Sequence, residues 1–203
     1  PVSSNPVNMK SVENAAMKSD RDKCNRKYRE KSFTAEQTRI VREFNHQARA
    51  GRELDLACGN GRNACILAAH GFEVDAVDIS EEGLQRFVCR SSGINRICQD
   101  LASFSIHPRR YRLILNTRFL MRRLFPALQE GLLPGGVLIF ETYLQEASVI
   151  AGRKFGRHHL LEDNELRHAF PALQTIAYAE SPSRRKDAPA RKASLVAVRP
   201  STQ

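Results

Sequence analysis

The 203-residue sequence contains no tryptophan, and aromatic residues make up only 7% of it. No stretch approaches the roughly 18 consecutive apolar residues that a membrane-spanning helix requires. Residues 1–20 also lack the apolar core of a secretory signal. We therefore expect a protein that is neither exported nor inserted into a membrane, and that offers few surfaces on which nucleic-acid bases can stack.

Cysteine is scarce as well. The five cysteines are Cys24, Cys58, Cys65, Cys89 and Cys98, and no two of them show the two-residue gap of a zinc or redox motif. We therefore expect no metal site and a reducing, cytoplasmic environment. In that environment Cys58 and Cys65, on either side of a glycine turn, are expected to pack as small apolar groups.

The composition is otherwise that of an ordinary globular protein, with 41% hydrophobic and 27% charged residues. The 32 Lys and Arg residues exceed the 22 Asp and Glu residues, so the net charge of +10 attracts anions, nucleic acid included. We expect residues 1–19 to be a loosely ordered lead-in and residues 20–203 to form one domain. Within that domain, helices in residues 20–50 are expected to cover the binding site.

One of those helices has a recognisable start. Thr34 and Gln37 have the spacing of a capping box, which predicts a helix from Ala35 to about Ala50 that Gly51 ends. After Gly51 the chain alternates short apolar runs with helical stretches, as in α/β proteins with a mostly parallel, doubly wound sheet. Seven strand-like runs are present, and helices on both faces would make a three-layer sandwich. A last helix is predicted over Leu161–Phe170.

The two final strand-like runs cover residues 173–181 and 193–200. The segment between them is too short and too rich in proline and charge to contain a crossover helix. These runs are therefore predicted to pair as an antiparallel C-terminal hairpin.

The most informative segment is residues 54–64, LDLACGNGRNA, where a strand runs through Gly59 and Gly61 into a helix. Glycine allows backbone to approach a ligand closely at such a turn, and the helix N–H groups point outward. Asp78, at the end of the second strand, lies where a ribose-binding acid belongs. The same spacing also satisfies the dinucleotide fingerprint, so a dinucleotide and S-adenosylmethionine compete for this site.

Asp55 distinguishes these two ligands. An acid aimed at the turn stabilises the cationic methionine part of S-adenosylmethionine and repels a pyrophosphate. The sequence also lacks a tyrosine followed four positions later by lysine, as short-chain dehydrogenases require. S-adenosylmethionine is therefore favoured.

Four segments, LDLACGNGRNA, VDAVDIS, CQDL and LLPGGVLIFETY, resemble the successive motifs of class I S-adenosylmethionine-dependent methyltransferases. The likeness spans about Asp20 to Arg199. Within that superfamily the sequence is most similar to the small-molecule group around the tellurite-resistance methyltransferases, which share the Tyr28-Arg29 pair and the LDLACGxGRN turn. The resemblance implies a Rossmann-like fold and in-line methyl transfer to a small acceptor.

The resemblance also implies a set of cofactor-binding residues: Tyr28, Arg29, Asp55, Ala57, Gly59, Gly61, Asp78, Ile79, Asp100, Leu101, Asn116 and Arg118. Asp55 and the turn would line the methionine end, with Ala57 standing where many members have glycine. Asp78 would accept hydrogen bonds from the ribose hydroxyls, and Ile79 would pack on adenine. Asp100 and Leu101 would bind the adenine amino group, although Asp100 can equally cap a short helix.

No catalytic base is identified, because a soft acceptor such as a thiolate needs none. Candidates for the acceptor pocket are Tyr28, Arg29, Glu141, Tyr143, His158, His159, Arg184, Arg185, Lys186, Arg191 and Lys192. The basic residues of the hairpin suggest a small anionic or soft acceptor, and the alternative is a solvated charged turn.

Two other functions remain open. An RNA methyltransferase could use a patch formed by Arg109, Arg110, Arg112, Arg118, Arg122 and Arg123. A non-catalytic nucleotide-binding module could keep the fold without the reaction.

Overall fold

The computed structural model describes residues 9–31, 33, 36–87, 89–145, 149–150, 153–154, 156, 159–181 and 191–201. The strands of the main sheet are β1 (Arg52–Leu56), β2 (Glu73–Asp78), β3 (Ile94–Cys98), β4 (Tyr111–Thr117), β5 (Leu132–Tyr143), β8 (Gln174–Ser181) and β9 (Lys192–Val198). A separate two-stranded ribbon consists of β6 (Val149–Ile150) and β7 (Arg153–Lys154). The α-helices are α1 (Met9–Glu30), α2 (Arg39–Phe44), α3 (Arg62–Ala69), α4 (Glu81–Gln85), α5 (Phe125–Gly131) and α6 (Glu165–His168).

The strand order in the seven-stranded sheet is β3-β2-β1-β4-β5-β9-β8. Strands β1 to β5 are parallel, and β9 pairs antiparallel with both β5 and β8. The predicted doubly wound sheet with an antiparallel C-terminal hairpin is thus confirmed. Because β1 lies between β2 and β4, the carboxyl ends of these three strands meet at one edge of the sheet, where such sheets bind ligands.

Alternate side chains of the central strands pack on opposite faces of the sheet. Leu54 and Leu56 of β1 belong to one buried cluster, which also contains Leu128 of α5 and Leu166 of α6. A second cluster contains Val41 of α2 and Ala64 and Leu67 of α3. The sheet is therefore covered on both faces, as a three-layer sandwich requires.

The helix predicted from Ala35 to about Ala50 is shorter at both ends, since α2 covers Arg39–Phe44 and only a 3-10 turn over Asn45–Gln47 follows it. Helix α2 starts at Arg39, and its N-cap residue Thr38 makes no side-chain capping bond. The backbone N–H of Thr38 instead donates to Oδ1 of Asn63, 3.0 Å away on α3. This tertiary hydrogen bond draws the segment against α3 and leaves Gln37 buried, whereas Thr34 and Ala35 lie outside the described residues.

Helix α1 begins at Met9, within the part of the chain expected to be loosely ordered, and it docks on α4. Oδ1 of Asn25 accepts a hydrogen bond from Oγ of Ser80 at 2.8 Å, and Arg29 pairs with Glu82 at 3.1 Å. The predicted final helix is shorter than expected, since α6 covers only Glu165–His168.

Cys65 forms a disulfide with Cys89, so the expectation that it packs as a free apolar thiol was wrong. The bond joins the first turns of α3 to the segment that follows α4. Spacing along the chain gave no sign of it, because the fold brings together two residues 24 positions apart. The disulfide also removes support for a reducing environment. Cys58 is free and buried, as expected. Among the described residues, no helix has the length and apolar character needed to cross a membrane.

Candidate cofactor and acceptor site

Asp55 lies in β1 on the face covered by α3, one residue before the strand ends. Only 1% of the residue is exposed, and neither carboxylate oxygen has a hydrogen-bond partner. Burial, the largest influence, and the nearby Asp78 carboxylate together raise the pKa of Asp55 to about 7, although the Arg62 guanidinium and the nearby backbone N–H of Ala64 act in the opposite direction. A buried carboxylate without a partner is costly. The site is therefore suited to a cationic ligand group.

The turn after β1 has left-handed backbone at Ala57, Gly59 and Gly61, with φ of 52°, 60° and 69°. A Cβ on Gly59 would clash with Oη of Tyr28, and one on Gly61 would clash with the ring of Phe87. Glycine is thus required at both positions by backbone conformation and by space. Sequence reasoning missed Phe87, because no short-range motif marks it.

Asp78 holds the turn in place. Its Oδ2 accepts from the N–H of Gly59 and its Oδ1 from the N–H of Ser80, each at 2.8 Å. Burial raises the pKa of Asp78, although these hydrogen bonds work in the opposite direction. Because a carboxylate oxygen can accept more than one hydrogen bond, the contact with ribose hydroxyls stays a prediction.

Tyr28 of α1 covers the glycine turn. Its ring lies against Gly83 as well as Gly59, and it stacks on Phe33 with ring centroids 4.6 Å apart. Burial raises the pKa of its hydroxyl, which stays protonated. Arg29, the next residue, points to Glu82 and not to the turn, so only Tyr28 of this predicted pair reaches the site.

The residues expected around adenine follow β2 and β3. Ile79 is half-buried directly after β2. Oδ1 of Asp100 accepts from the backbone N–H of Ala102 at 2.7 Å and so closes a turn over residues 101–103, where the short helix of the alternative does not form. Leu101 is buried in the apolar cluster that also contains Leu54 and Leu56 of β1. Contact of these side chains with adenine stays a prediction.

Asn116 and Arg118, at the end of β4, play different parts. Nδ2 of the buried Asn116 donates to the carbonyl of Phe119 at 2.7 Å, so it shapes the loop that follows the strand. Arg118 has a left-handed backbone, with φ of 61°, and its N–H donates to the carbonyl of Glu141 at 2.7 Å. Its side chain lines a neighbouring cavity.

This cavity has a volume of about 870 Å³. It lies between α2, the first residue of α3, the ends of β4 and β5, and the hairpin strands β8 and β9. Two of the predicted acceptor residues, Glu141 and Lys192, are in its wall and pair with each other at 3.0 Å. We call it the acceptor cavity.

The other acceptor candidates are placed elsewhere or not described. Tyr28, Tyr143 and His159 are not among the residues that line the acceptor cavity. Arg191 pairs with Glu180 at 3.2 Å and with Asp163 at 3.3 Å. His158, Arg184, Arg185 and Lys186 lie outside the described residues. Within the described part of the chain, no cluster of three or more His, Cys, Asp or Glu could hold a metal ion.

The arginines proposed as a single nucleic-acid patch are divided. Arg109, Arg110 and Arg112 lie at the start of β4, whereas Arg118 follows the strand's last residue. Five strand residues, Leu113–Thr117, separate Arg112 from Arg118, a distance of roughly 20 Å at the rise of a β-strand. Arg122 is paired with Glu165. Arg109, Arg110 and Arg112 thus lie at the opposite end of β4 from Arg118.

Comparison with known proteins identifies a family match over residues 18–183, described as tellurite resistance protein TehB. YqeM of Bacillus subtilis (strain 168), named as a candidate methyltransferase, is 32% identical over 105 residues, which are 46% of this chain and 42% of YqeM. The chain thus spans less than half the length of that curated relative.

Solved structures agree on the fold. TehB from Haemophilus influenzae superposes with a TM-score of 0.62 at 18% identity, covering 88% of this chain and 66% of that one. The [4+2]-cyclase SpnF superposes with a TM-score of 0.65 at 14% identity, covering 81% of each chain. The second similarity shows that this fold also occurs in a protein named for a different reaction.

Proposed function

Because the chain belongs to the TehB family of tellurite resistance proteins, as the resemblance implied, we propose that it is an S-adenosylmethionine-dependent methyltransferase acting on a small molecule. The observation that carries the proposal is Asp55, a buried carboxylate without a partner beside a glycine turn.

The residues present fit the donor. S-adenosylmethionine supplies an electrophilic methyl group and a leaving group when bound. Asp55 would hold its ammonium group, and the backbone at Gly59 and Gly61 would approach it closely. Asp78 would accept from the ribose hydroxyls, and Ile79 would cover adenine. A dinucleotide fits less well, because its pyrophosphate would lie near Asp55.

The acceptor would enter the acceptor cavity, next to the turn. The role left to this chain is to align the nucleophile with the methyl group and to exclude water. A soft nucleophile needs no base there. The excess of basic over acidic residues in the cavity wall favours an acceptor that is anionic.

The experiment is transfer of label from methyl-tritiated S-adenosylmethionine, offered with a panel of small thiols, amines and carboxylates and, separately, with total RNA. We expect label in the small-molecule fraction and its loss in Asp55→Asn. Glu53→Gln is the matched control, because Glu53 is a second buried, unpartnered acid of β1 on the same sheet face. Label in RNA would favour the nucleic-acid alternative. Binding of the cofactor without transfer to any acceptor would favour the non-catalytic one.

A further inference from the structure

The charges around the acceptor cavity are unequal. Its basic lining residues are Arg39, Arg42, Arg62, Arg118 and Lys192, and its acidic ones are Glu36, Glu43 and Glu141. Each acid pairs with one base. Arg39 pairs with Glu43, Arg42 with Glu36 at 3.4 Å, and Lys192 with Glu141 at 3.0 Å. Two guanidinium groups, those of Arg62 and Arg118, are left over.

Neither of these two arginines donates a side-chain hydrogen bond to a described residue. Arg62 is the first residue of α3, and Arg118 is fixed by its backbone bond to Glu141. Their charges interact, since burial lowers the pKa of Arg62 and the nearby Arg118 lowers it further. The Asp55 carboxylate raises the pKa of Arg62 through space, without a hydrogen bond between the two side chains. Two like charges thus converge on one cavity wall without a bound counter-charge, an arrangement that is unfavourable unless an anion completes it.

The cavity wall contains other unsatisfied polar groups. Gln37 and Thr38 are only 7% and 6% exposed, and Nε2 of Gln37 and Oγ1 of Thr38 have no partner. Thr38 is tied to α3 next to Arg62, through its backbone bond to Asn63. The wall around Arg62 therefore contains polar groups that have no hydrogen-bond partner among the described residues.

We propose that Arg62 and Arg118 together bind an anionic oxygen group of the acceptor, either a carboxylate or an oxyanion, and thereby determine which molecules are methylated. This inference rests on the proposed function, which assigns the cavity to the acceptor. Guanidinium groups suit the task because their planar donors match the geometry of such anions. Lys192, which the sequence also suggested, does not take this role, because Glu141 neutralises it.

The test is calorimetric titration of sulfate, and separately of acetate, into protein saturated with S-adenosylhomocysteine, with ionic strength held constant by sodium chloride. The wild-type protein is expected to bind at least one of these anions. Arg118→Gln should weaken binding by about tenfold or more, because a charge-assisted hydrogen bond is lost. Arg62→Gln, a second variant, should weaken it similarly. Arg39→Gln is the matched control, since Arg39 lines the same cavity but is paired with Glu43, and its affinity should be unchanged.

The outcomes separate this inference from the proposed function. If the wild-type protein does not bind S-adenosylhomocysteine, the proposed function fails. If it binds S-adenosylhomocysteine but neither anion, the assignment of Arg62 and Arg118 is wrong. The assignment is equally wrong if Arg39→Gln weakens anion binding as much as Arg118→Gln does, because the loss of affinity then follows from the lower net positive charge of the cavity and not from a specific contact.

Discussion

Asp55 is expected to make binding of S-adenosylhomocysteine depend on pH. The ligand's ammonium group needs an ionised carboxylate, and burial raises the pKa of Asp55 to about 7 in the ligand-free protein. Protons therefore compete with the ligand below neutral pH. Affinity should rise with pH up to about pH 8 and then level off, because Asp55 is by then almost fully ionised.

The size of the effect follows from the ionised fraction. With a pKa of about 7, roughly one tenth of Asp55 is ionised at about pH 6 and roughly nine tenths at about pH 8. Apparent affinity is proportional to the binding-competent fraction. The dissociation constant should thus fall about tenfold between these two pH values, which corresponds to a binding free energy more favourable by about 1.4 kcal/mol.

Isothermal titration calorimetry across this range provides the assay. In Asp55→Asn the affinity should be weak and independent of pH, whereas Glu53→Gln should still bind more tightly as pH rises because it retains Asp55. A wild-type affinity that does not change between about pH 6 and pH 8 would refute the role assigned to Asp55, as would an unaltered profile in Asp55→Asn.

Three further predictions concern the stability of the protein. Gly59→Ala should lower the free energy of unfolding by about 1–3 kcal/mol from backbone strain alone. Adding Tyr28→Phe should recover part of this loss, because the Tyr28 hydroxyl oxygen then no longer clashes with the new Cβ. An unchanged urea midpoint in Gly59→Ala would contradict the prediction. Serine at both Cys65 and Cys89 should cost about 3 kcal/mol, and a reductant should shift the wild-type urea midpoint but not that of the double variant. Burial also raises the pKa of Glu53, so its contribution to folding is present in acid and is lost as pH rises through the folded-state pKa. Glu53→Gln should therefore raise the melting temperature at alkaline pH but not in acid, and equal shifts at both pH values would show that ionisation is not the cause.

Much of the fold could be predicted because apolar periodicity and strand ends are local properties of the sequence. The glycine turn placed Asp55, Gly59 and Asp78 at the same sheet edge, since each follows or ends a parallel strand. The start of α2 could not be predicted in this way. The local capping pattern at Thr34 and Gln37 competes with a hydrogen bond between Thr38 and Asn63, which exists only once α2 packs on α3.

The acceptor cavity shows the same limit. Sequence reasoning placed the anionic contact in the basic hairpin, because charge density is visible along the chain. It could not show which charges are already neutralised. Glu141 and Lys192 are far apart in sequence and pair only across β5 and β9, whereas Arg62 and Arg118 remain without such a partner among the described residues. The structure therefore changes which cations are expected to bind the acceptor.

A crystal structure of the protein grown with S-adenosylhomocysteine tests most directly whether the turn after β1 binds this donor. The account predicts the ligand's ammonium group within hydrogen-bond distance of Asp55 and its ribose hydroxyls on Asp78. Ligand bound away from the turn, or an Asp55 carboxylate that still has no partner beside bound ligand, would contradict it.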